Sequence, residues 1–169
     1  AGNHAIATAY AAKIVGTSAK VIMTPSANPS RIASCKSYGA EVTIAEDIHH
    51  AFKIAENLQA KEDRFFVHPF EGPSVAFGTG IIGLEICEQI NNFDCLIIPV
   101  GGGGLIGGLS NAVKQINRSV EIIGVEPTGA NSMHKSFKSG YPESLDGHMN
   151  TIADSLGAPF AMPYSFNLT

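Results

Sequence analysis

The sequence lacks any run of basic residues and carries little charge of either sign. Charged side chains make up 15% of the 169 residues, and the formal net charge is −4. Proteins that bind nucleic acid or anionic membranes present clusters of Lys and Arg, so neither partner is expected. The hydrophobic content of 44% instead predicts a globular chain with a buried core and a small-molecule substrate.

Cysteines are few, and long apolar runs are absent. The cysteines at positions 35, 87 and 95 are odd in number and widely spaced among apolar neighbours. This pattern is typical of reduced thiols, and we expect all three to be packing residues. The apolar runs are far shorter than a membrane span, and the first residues show no leader pattern. We therefore expect a cytoplasmic protein without membrane contact.

Short apolar runs rich in β-branched residues alternate with longer stretches of helical periodicity. This alternation predicts an α/β fold in which helices flank parallel sheets. The expected strands are residues 19–24, 41–44, 65–67, 95–100 and 120–125. The expected helices are residues 3–15, 29–38 and 47–60, and glycine follows each of the first two.

Residues 68–73, His-Pro-Phe-Glu-Gly-Pro, separate the first three strands from the rest of the chain. The prolines and glycine predict a hinge or domain crossing, where His68 is expected to hydrogen-bond the backbone. We expect a smaller domain over residues 1–70 and part of a larger one over residues 71–169. The sequence opens on a turn with no strand before it and stops without a helix-ending signal, so both ends are expected to be cuts in a longer chain.

The strongest chemical signal is a glycine-rich connection between a buried strand and a helix. This glycine turn consists of Gly101, Gly102, Gly103 and Gly104. Glycines let the backbone approach a ligand closely, and successive amides can point at one anion while the helix dipole adds a favourable field. The turn is therefore a candidate phosphate cradle. A tight connection without a ligand is the alternative, but it would need only one or two glycines.

The same stretch satisfies a second pattern. Gly102, Gly104 and Gly107 have the G-x-G-x-x-G spacing of dinucleotide-binding folds. Glu126 follows the next strand, where an acid that binds the ribose is expected. An NAD-binding oxidoreductase domain is therefore an alternative, which the glycine pattern alone does not separate from a cradle for another phosphate.

Short motifs along the chain distinguish between these readings. Residues 1–4, Ala-Gly-Asn-His, precede an alanine-rich helix and resemble the Ser-(Ala/Ser)-Gly-Asn-His loop of the threonine and serine dehydratases, a serine racemase-like group of the tryptophan-synthase-β-like pyridoxal-phosphate enzymes. Further matches in the order of that family are Tyr-Gly-Ala-Glu-Val at 38–42, Val-His-Pro-Phe at 67–70, Gly-Thr-Gly at 78–80, the glycine turn, Val-Glu-Pro at 125–127 and Thr-Ile-Ala-Asp at 151–154. The resemblance covers nearly the whole chain and implies fold type II.

The resemblance implies a role for each matching residue. The glycine turn and the amide of Leu105 would hold the phosphate of pyridoxal 5′-phosphate. Asn3 would hydrogen-bond the 3′ oxygen of this cofactor, and the amides of Gly2 and His4 would hold the substrate carboxylate, since a helix N-terminus suits an anion. Without the resemblance, Asn3 would be interpreted as a helix N-cap and His4 as a solvated residue of the first turn.

Ala1 bears on the type of reaction. Relatives that racemise serine place a hydroxyl here to handle a proton, whereas the dehydratases have alanine, which cannot move a proton. The resemblance therefore implies an ammonia-lyase that removes water from threonine or serine and gives a 2-oxo acid and ammonia. A serine racemase-type isomerase is the alternative. The resemblance also implies a homodimer for the full-length protein.

Some family features have no match. The Schiff-base lysine belongs to a Ser-x-Lys-x-Arg-Gly segment upstream of the asparagine loop, and none of the lysines of this sequence has that setting. The chain alone is therefore expected to be inactive, and a non-catalytic binding or regulatory module is a further alternative. A divalent-cation set is matched at Glu126 and Ala130, but Ser132 replaces its aspartate, so no metal site is expected. Phe77 and Ser155 replace a common glutamine and glycine and are expected to reshape the substrate pocket.

Overall fold

A computed structural model describes residues 2–145 and 149–169 of the chain. The elements in chain order are α1 (Asn3–Val15), β1 (Lys20–Met23), α2 (Pro29–Ser37), β2 (Glu41–Ile44), α3 (Ile48–Glu62), α4 (Pro73–Gln89), β3 (Cys95–Pro99), α5 (Gly104–Ile116), β4 (Glu121–Val125), α6 (Ser132–Ser139), a 3-10 helix (Asp154–Leu156) and α7 (Pro163–Leu168). The chain divides into two compact units, Ala1–Val67 and His68–Thr169. Their assignment to the smaller and larger domains of a longer protein stays a prediction.

The first unit is built on a parallel pair of strands. β1 and β2 pair in register from Lys20 opposite Glu41 to Met23 opposite Ile44. Small and medium side chains form its core, and the most buried are Ala9, Val21, Met23 and Cys35. Alanine on α1 and Cys35 on α2 allow the helices to approach the sheet closely, which fixes the start of α1 relative to β1.

The second unit repeats this plan with β3 and β4. These strands are parallel and pair from Cys95 opposite Glu121 to Pro99 opposite Val125. The helix α5 joins them, as a parallel pair requires a crossover. Its buried side chains pack on the strands to form a core of Ile98, Val100, Ile106, Leu109, Val113, Val120 and Met133. This core holds the end of β3 and the start of α5 in place, where the glycine turn lies.

The α/β class is confirmed, and the predicted bounds of α1 and β2 match the structure. The strand predicted at residues 65–67 is wrong, because these residues form no regular structure and Phe65 is 75% exposed. The carbonyl of Val67 accepts a hydrogen bond from a side chain, that of His4, instead of a strand amide. The helix α4 was not predicted, because its apolar residues lie on all sides and show no amphipathic period.

Two expectations on composition have different outcomes. Cys35 is fully buried, but Cys95 is exposed at the start of β3, so the expectation that all three cysteines pack in the interior is wrong for Cys95. In the part of the chain that the structure describes, no helix combines the length and apolar character needed to cross a membrane.

The contact between α4 and α5 depends on glycine at Gly83. A Cβ added there would lie 2.6 Å from the carbonyl oxygen of Leu109 and 2.9 Å from the Cβ of Ala112. Since backbone atoms cannot move aside easily, Gly83→Ala is expected to lower the free energy of unfolding by about 1–3 kcal/mol. Urea-induced unfolding followed by circular dichroism measures this change.

Gly78 provides a matched control in the same helix, because nothing lies within 4 Å of a Cβ added there. Gly78→Ala should leave the unfolding free energy unchanged or raise it by about 0.5–1 kcal/mol, as alanine has the higher helix propensity. Equal effects of the two substitutions would contradict close packing of the helices at Gly83.

Candidate functional site

The glycine turn connects the end of β3 to the first residue of α5. Gly103 is the N-cap of α5 and has a left-handed backbone, with φ 90° and ψ −8°. Gly102, Gly103 and Gly104 are all buried. Only glycine adopts this conformation at Gly103 without strain.

Protein atoms fill the space that side chains of the turn would need. A Cβ at Gly102 would overlap the ring of Phe70, and one at Gly104 would lie 2.7 Å from the Cα of Phe70. A Cβ at Gly101 would lie 3.1 Å from the carbonyl oxygen of Leu156. Glycine is therefore required along the turn by close packing as well as by backbone conformation.

The amides of the turn form a group of buried donors. The first amides of a helix have no acceptor within the helix, and no side chain caps α5. Among the described residues, no backbone carbonyl accepts a hydrogen bond from the amides of Gly102, Gly103, Gly104 or Leu105. Buried donors without acceptors are costly, so an anionic ligand would stabilise the turn. The dipole of this 13-residue helix favours the same charge.

The residues present therefore fit a phosphate group. The first turn of α5 contains no acidic side chain that would repel an anion or satisfy the amides itself. The absence of side chains on the turn lets an oxygen reach the backbone donors. The predicted role of the glycine turn and Leu105 agrees with this geometry and stays a prediction.

Thr79 fixes the start of α5 from the neighbouring helix. Its Oγ1 lies 2.8 Å from the carbonyl oxygen of Gly104 and 2.9 Å from that of Val75, and its single proton serves these acceptors. The hydroxyl thus links α4 to the last glycine of the turn. The sequence placed Thr79 in a family motif but gave it no role, because a contact between two helices has no local pattern.

His68 organises the loop that precedes α4. Its Nδ1 accepts hydrogen bonds from the amides of Phe70, at 3.2 Å, and Glu71, at 2.9 Å. The predicted hydrogen bond from His68 to the backbone is confirmed. This folding of the loop presents the ring of Phe70 to Gly102.

The N-terminal loop belongs to the first unit. Gly2, with φ 147°, is the N-cap of α1, so the alternative that made Asn3 the N-cap is wrong. No side chain caps this helix, and Asn3 lies exposed in its first turn. The start of α1 thus presents backbone amides suited to a carboxylate, as predicted for Gly2 and His4. Ala1 lies outside the described residues, and binding of one cofactor by Asn3 and the glycine turn together stays a prediction.

His4 is not simply a solvated residue. Its Nε2 lies 2.7 Å from the carbonyl oxygen of Val67, which can only accept, so Nε2 carries the proton. Removal of the imidazole from water lowers the pKa of His4, although the hydrogen bond to Val67 acts in the opposite direction. Its side chain therefore ties the start of α1 to the end of the first unit.

Glu126 is a helix cap. Its two carboxylate oxygens accept hydrogen bonds from the amides of Met133, at 2.9 Å, and His134, at 2.7 Å, in the first turn of α6. Burial raises the pKa of Glu126, and these two hydrogen bonds partly offset the rise. Since both oxygens are already used, the alternative of a ribose-binding acid loses its support. The sequence did not predict this cap, which lies six residues before the helix.

The other proposed cation ligands offer little to a metal. Ala130 is buried, and the Oγ of Ser132 is buried without a hydrogen-bond partner. Within residues 2–145 and 149–169, no group of three or more His, Cys, Asp and Glu side chains could hold a metal ion.

A cavity of about 680 Å³ lies in the second unit beside β4 and α6. Its lining includes Lys114, Glu126, His134 and Phe137, and none of the four residues of the glycine turn. It is therefore distinct from the candidate phosphate cradle.

The two departures from the family pattern lie in different places. Phe77 is 76% exposed on α4. Ser155 is exposed in the 3-10 helix, whose last residue, Leu156, borders Gly101. Ser155 thus lies close to the glycine turn in sequence and in space, whereas the effect of either residue on a substrate pocket stays a prediction.

A family model described as "Pyridoxal-phosphate dependent enzyme" matches residues 1–169, the whole chain. The chain belongs to this family. The match decides against the NAD-binding alternative and agrees with the phosphate cradle. The assignment to fold type II is confirmed by the solved structures of the family, as the next comparison illustrates.

Three relatives illustrate the similarity. A phenylserine dehydratase of Ralstonia pickettii is 48% identical over 168 residues, which are 99% of this chain and 51% of that protein. An L-threonine ammonia-lyase of Thermotoga maritima is 39% identical over 169 residues, which are 99% of this chain and 42% of that protein. The structure of maize serine racemase superimposes with a TM-score of 0.92 at 33% identity and covers 99% of this chain and 50% of that one. The chain thus spans about half the length of the proteins it matches.

The state of His4 predicts a pH dependence of stability. Because the folded pKa lies below the model value of 6.5, the unfolded chain takes up a proton at a higher pH than the folded chain does. The free energy of unfolding should therefore fall as the pH drops through about 6.5 and level off below the folded pKa. Urea denaturation at several pH values between about 7.5 and 5 measures this loss.

His4→Gln is the reference for that experiment. The side-chain amide of Gln can still donate to the carbonyl of Val67, but it does not titrate. The variant should lose less stability than the parent over the same pH range. Identical pH profiles would show that His4 is as accessible to protons in the folded chain as in the unfolded one.

Proposed function

We propose that the protein containing this chain is a pyridoxal-phosphate-dependent ammonia-lyase that acts on a hydroxy amino acid of the threonine and serine class. It removes water from the substrate and releases a 2-oxo acid and ammonia. The observation that carries the proposal is the buried glycine turn, whose unpaired amides at the start of α5 fit a phosphate. The names of the relatives, a phenylserine dehydratase and an L-threonine ammonia-lyase, support the reaction type.

The glycine turn would hold the cofactor phosphate through the amides of Gly102, Gly103, Gly104 and Leu105. Burial excludes water from these donors, so each hydrogen bond to the anion is stronger than in solvent. The phosphate would then act as a fixed anchor that orients the rest of the cofactor. When bound, the cofactor supplies an electron sink for the charge left at the substrate α-carbon.

The start of α1 would hold the substrate. Its exposed first turn offers the amides of Gly2 and His4 to a carboxylate, and Asn3 would donate to the 3′ oxygen of the cofactor. Gly2 is needed because its φ of 147° is unsuited to other residues and a Cβ would lie 2.6 Å from the Cδ of Arg31. This part of the proposal rests on the family resemblance together with the geometry of α1.

Elimination is favoured over racemisation by the sequence. Ala1 has no group that could move a proton on its side of the substrate. Maize serine racemase shares less sequence identity with the chain, 33%, than the phenylserine dehydratase, 48%. A cytoplasmic location and a homodimeric assembly complete the proposal and rest on the resemblance alone.

The test uses the full-length protein, loaded with pyridoxal phosphate and supplied with L-threonine, L-serine or phenylserine. Formation of the 2-oxo acid and ammonia in equal amounts is expected. Formation of D-serine from L-serine without ammonia would assign a racemase, and failure to bind the cofactor would overturn the proposal. The 169-residue chain alone should be inactive, because none of its lysines lies in the family motif.

The phosphate cradle is tested by Gly103→Ala. A methyl group at this position strains a backbone with φ 90° and lies 2.5 Å from the Cε of Met133, so the amides can no longer converge. The dissociation constant of pyridoxal phosphate should rise at least about tenfold, measured by fluorescence titration of the full-length protein.

Gly140→Ala is the matched control for this substitution. Gly140, the C-cap of α6, has a similar φ of 84°, but nothing lies within 4 Å of an added Cβ. The control carries the same type of backbone strain and should leave cofactor affinity unchanged. Equal losses in both variants would assign the effect to general destabilisation instead of the cradle.

A further inference from the structure

Two segments distant in sequence enclose the glycine turn. Phe70, before α4, contacts Gly102 with its ring and Gly104 with its backbone. Ser165, in α7, lies beside Gly103, and its Cβ would be 3.2 Å from a Cβ added there. The turn is thus supported by side chains and backbone from both segments.

A carboxylate joins these two supports. Glu71 Oε1 accepts a hydrogen bond from the amide of Tyr164 at 2.8 Å, and Oε2 accepts from the amide of Ser165 at 3.0 Å and its Oγ at 2.6 Å. The Oγ of Ser165 also contacts the carbonyl oxygen of Phe70. One carboxylate therefore ties the residue that follows Phe70 to the residue that lies beside Gly103.

The surroundings give these hydrogen bonds weight. Ser165 is 3% exposed, and Glu71 is partly buried, so water does not readily replace the partners. The removal of the carboxylate would leave buried donors without acceptors. The segments around the turn would then shift to find new partners.

We propose that Glu71 and Ser165 are positioning residues that hold the glycine turn in its phosphate-binding shape. This inference rests on the proposed function. Neither side chain contacts the ligand; Glu71 acts through Phe70, and Ser165 acts through its packing on Gly103. Four successive glycines have few conformational restraints of their own, so external contacts must fix their amides toward one point.

The test compares two ligands that differ only in the phosphate. Dissociation constants of pyridoxal 5′-phosphate and of pyridoxal are measured for the full-length protein, and their ratio reports the contribution of the phosphate. In Glu71→Gln and Ser165→Ala the preference for the phosphorylated ligand should fall about tenfold, because the amides lose their common orientation. The affinity for pyridoxal should change little.

Ser136→Ala is the matched control. Ser136 is also a fully buried helical serine of the second unit, and its Oγ donates to the carbonyl of Ser132 and accepts from the amide of Glu143. It makes no listed approach to the turn through either bond. This variant should lose stability but keep the phosphate preference of the parent.

A double variant tests whether the two residues act as one unit. If they do, Glu71→Gln with Ser165→Ala should lose no more phosphate preference than the stronger single variant. Glu71→Gln keeps one oxygen acceptor and a similar volume, so it provides the measurement if Ser165→Ala does not fold.

The outcomes separate this inference from the proposed function. A parent protein that binds both ligands equally would overturn the phosphate cradle itself. A parent that prefers the phosphorylated ligand, with the same preference in folded Glu71→Gln, would overturn only the positioning role. Loss of affinity for both ligands in equal proportion would also overturn it, because it would indicate a general structural effect.

Discussion

The close packing of protein atoms against the glycine turn is the constraint on which the rest of the site depends. Phe70, Met133 and Ser165 occupy the space where side chains of the turn would lie. Glycine is therefore required there, and the buried amides at the start of α5 stay without protein acceptors. A conformation with unsatisfied buried donors is costly on its own, and an anionic ligand offsets that cost. The same feature thus explains the sequence of the turn and its capacity to bind phosphate.

The two units use one physical device for two anions. In each, a helix of 13 residues begins at a glycine with an unusual backbone and has no side-chain cap. Gly2 begins α1, and Gly103 begins α5. Uncapped helix starts leave amides for a ligand, and the helix dipole adds a favourable field for negative charge. In the proposed enzyme one start would serve the substrate carboxylate and the other the cofactor phosphate.

Elsewhere the chain satisfies its helix starts with its own carboxylates. Glu126 takes the first amides of α6, and Glu71 takes those of α7. Asp47 caps α3 through the amide of His50 at 2.7 Å. The contrast with α1 and α5 is informative, because the helices without a carboxylate cap are those assigned to ligands. Capped starts are structural, and uncapped ones are available for binding.

The sequence by itself determined the α/β class, most helix and strand positions, the glycine turn and the family, because these depend on local periodicity and on residues close together in the chain. Glycine spacing also identified the candidate phosphate cradle. Tertiary structure decided what touches the turn: the contacts of Phe70 and Thr79, the hydrogen bonds from Glu71 to Ser165, and the use of Glu126 as a cap. It also removed the strand predicted at residues 65–67, where Val67 is bound by His4. Such contacts join residues up to 94 positions apart, and no local pattern in the chain encodes a partner at that distance.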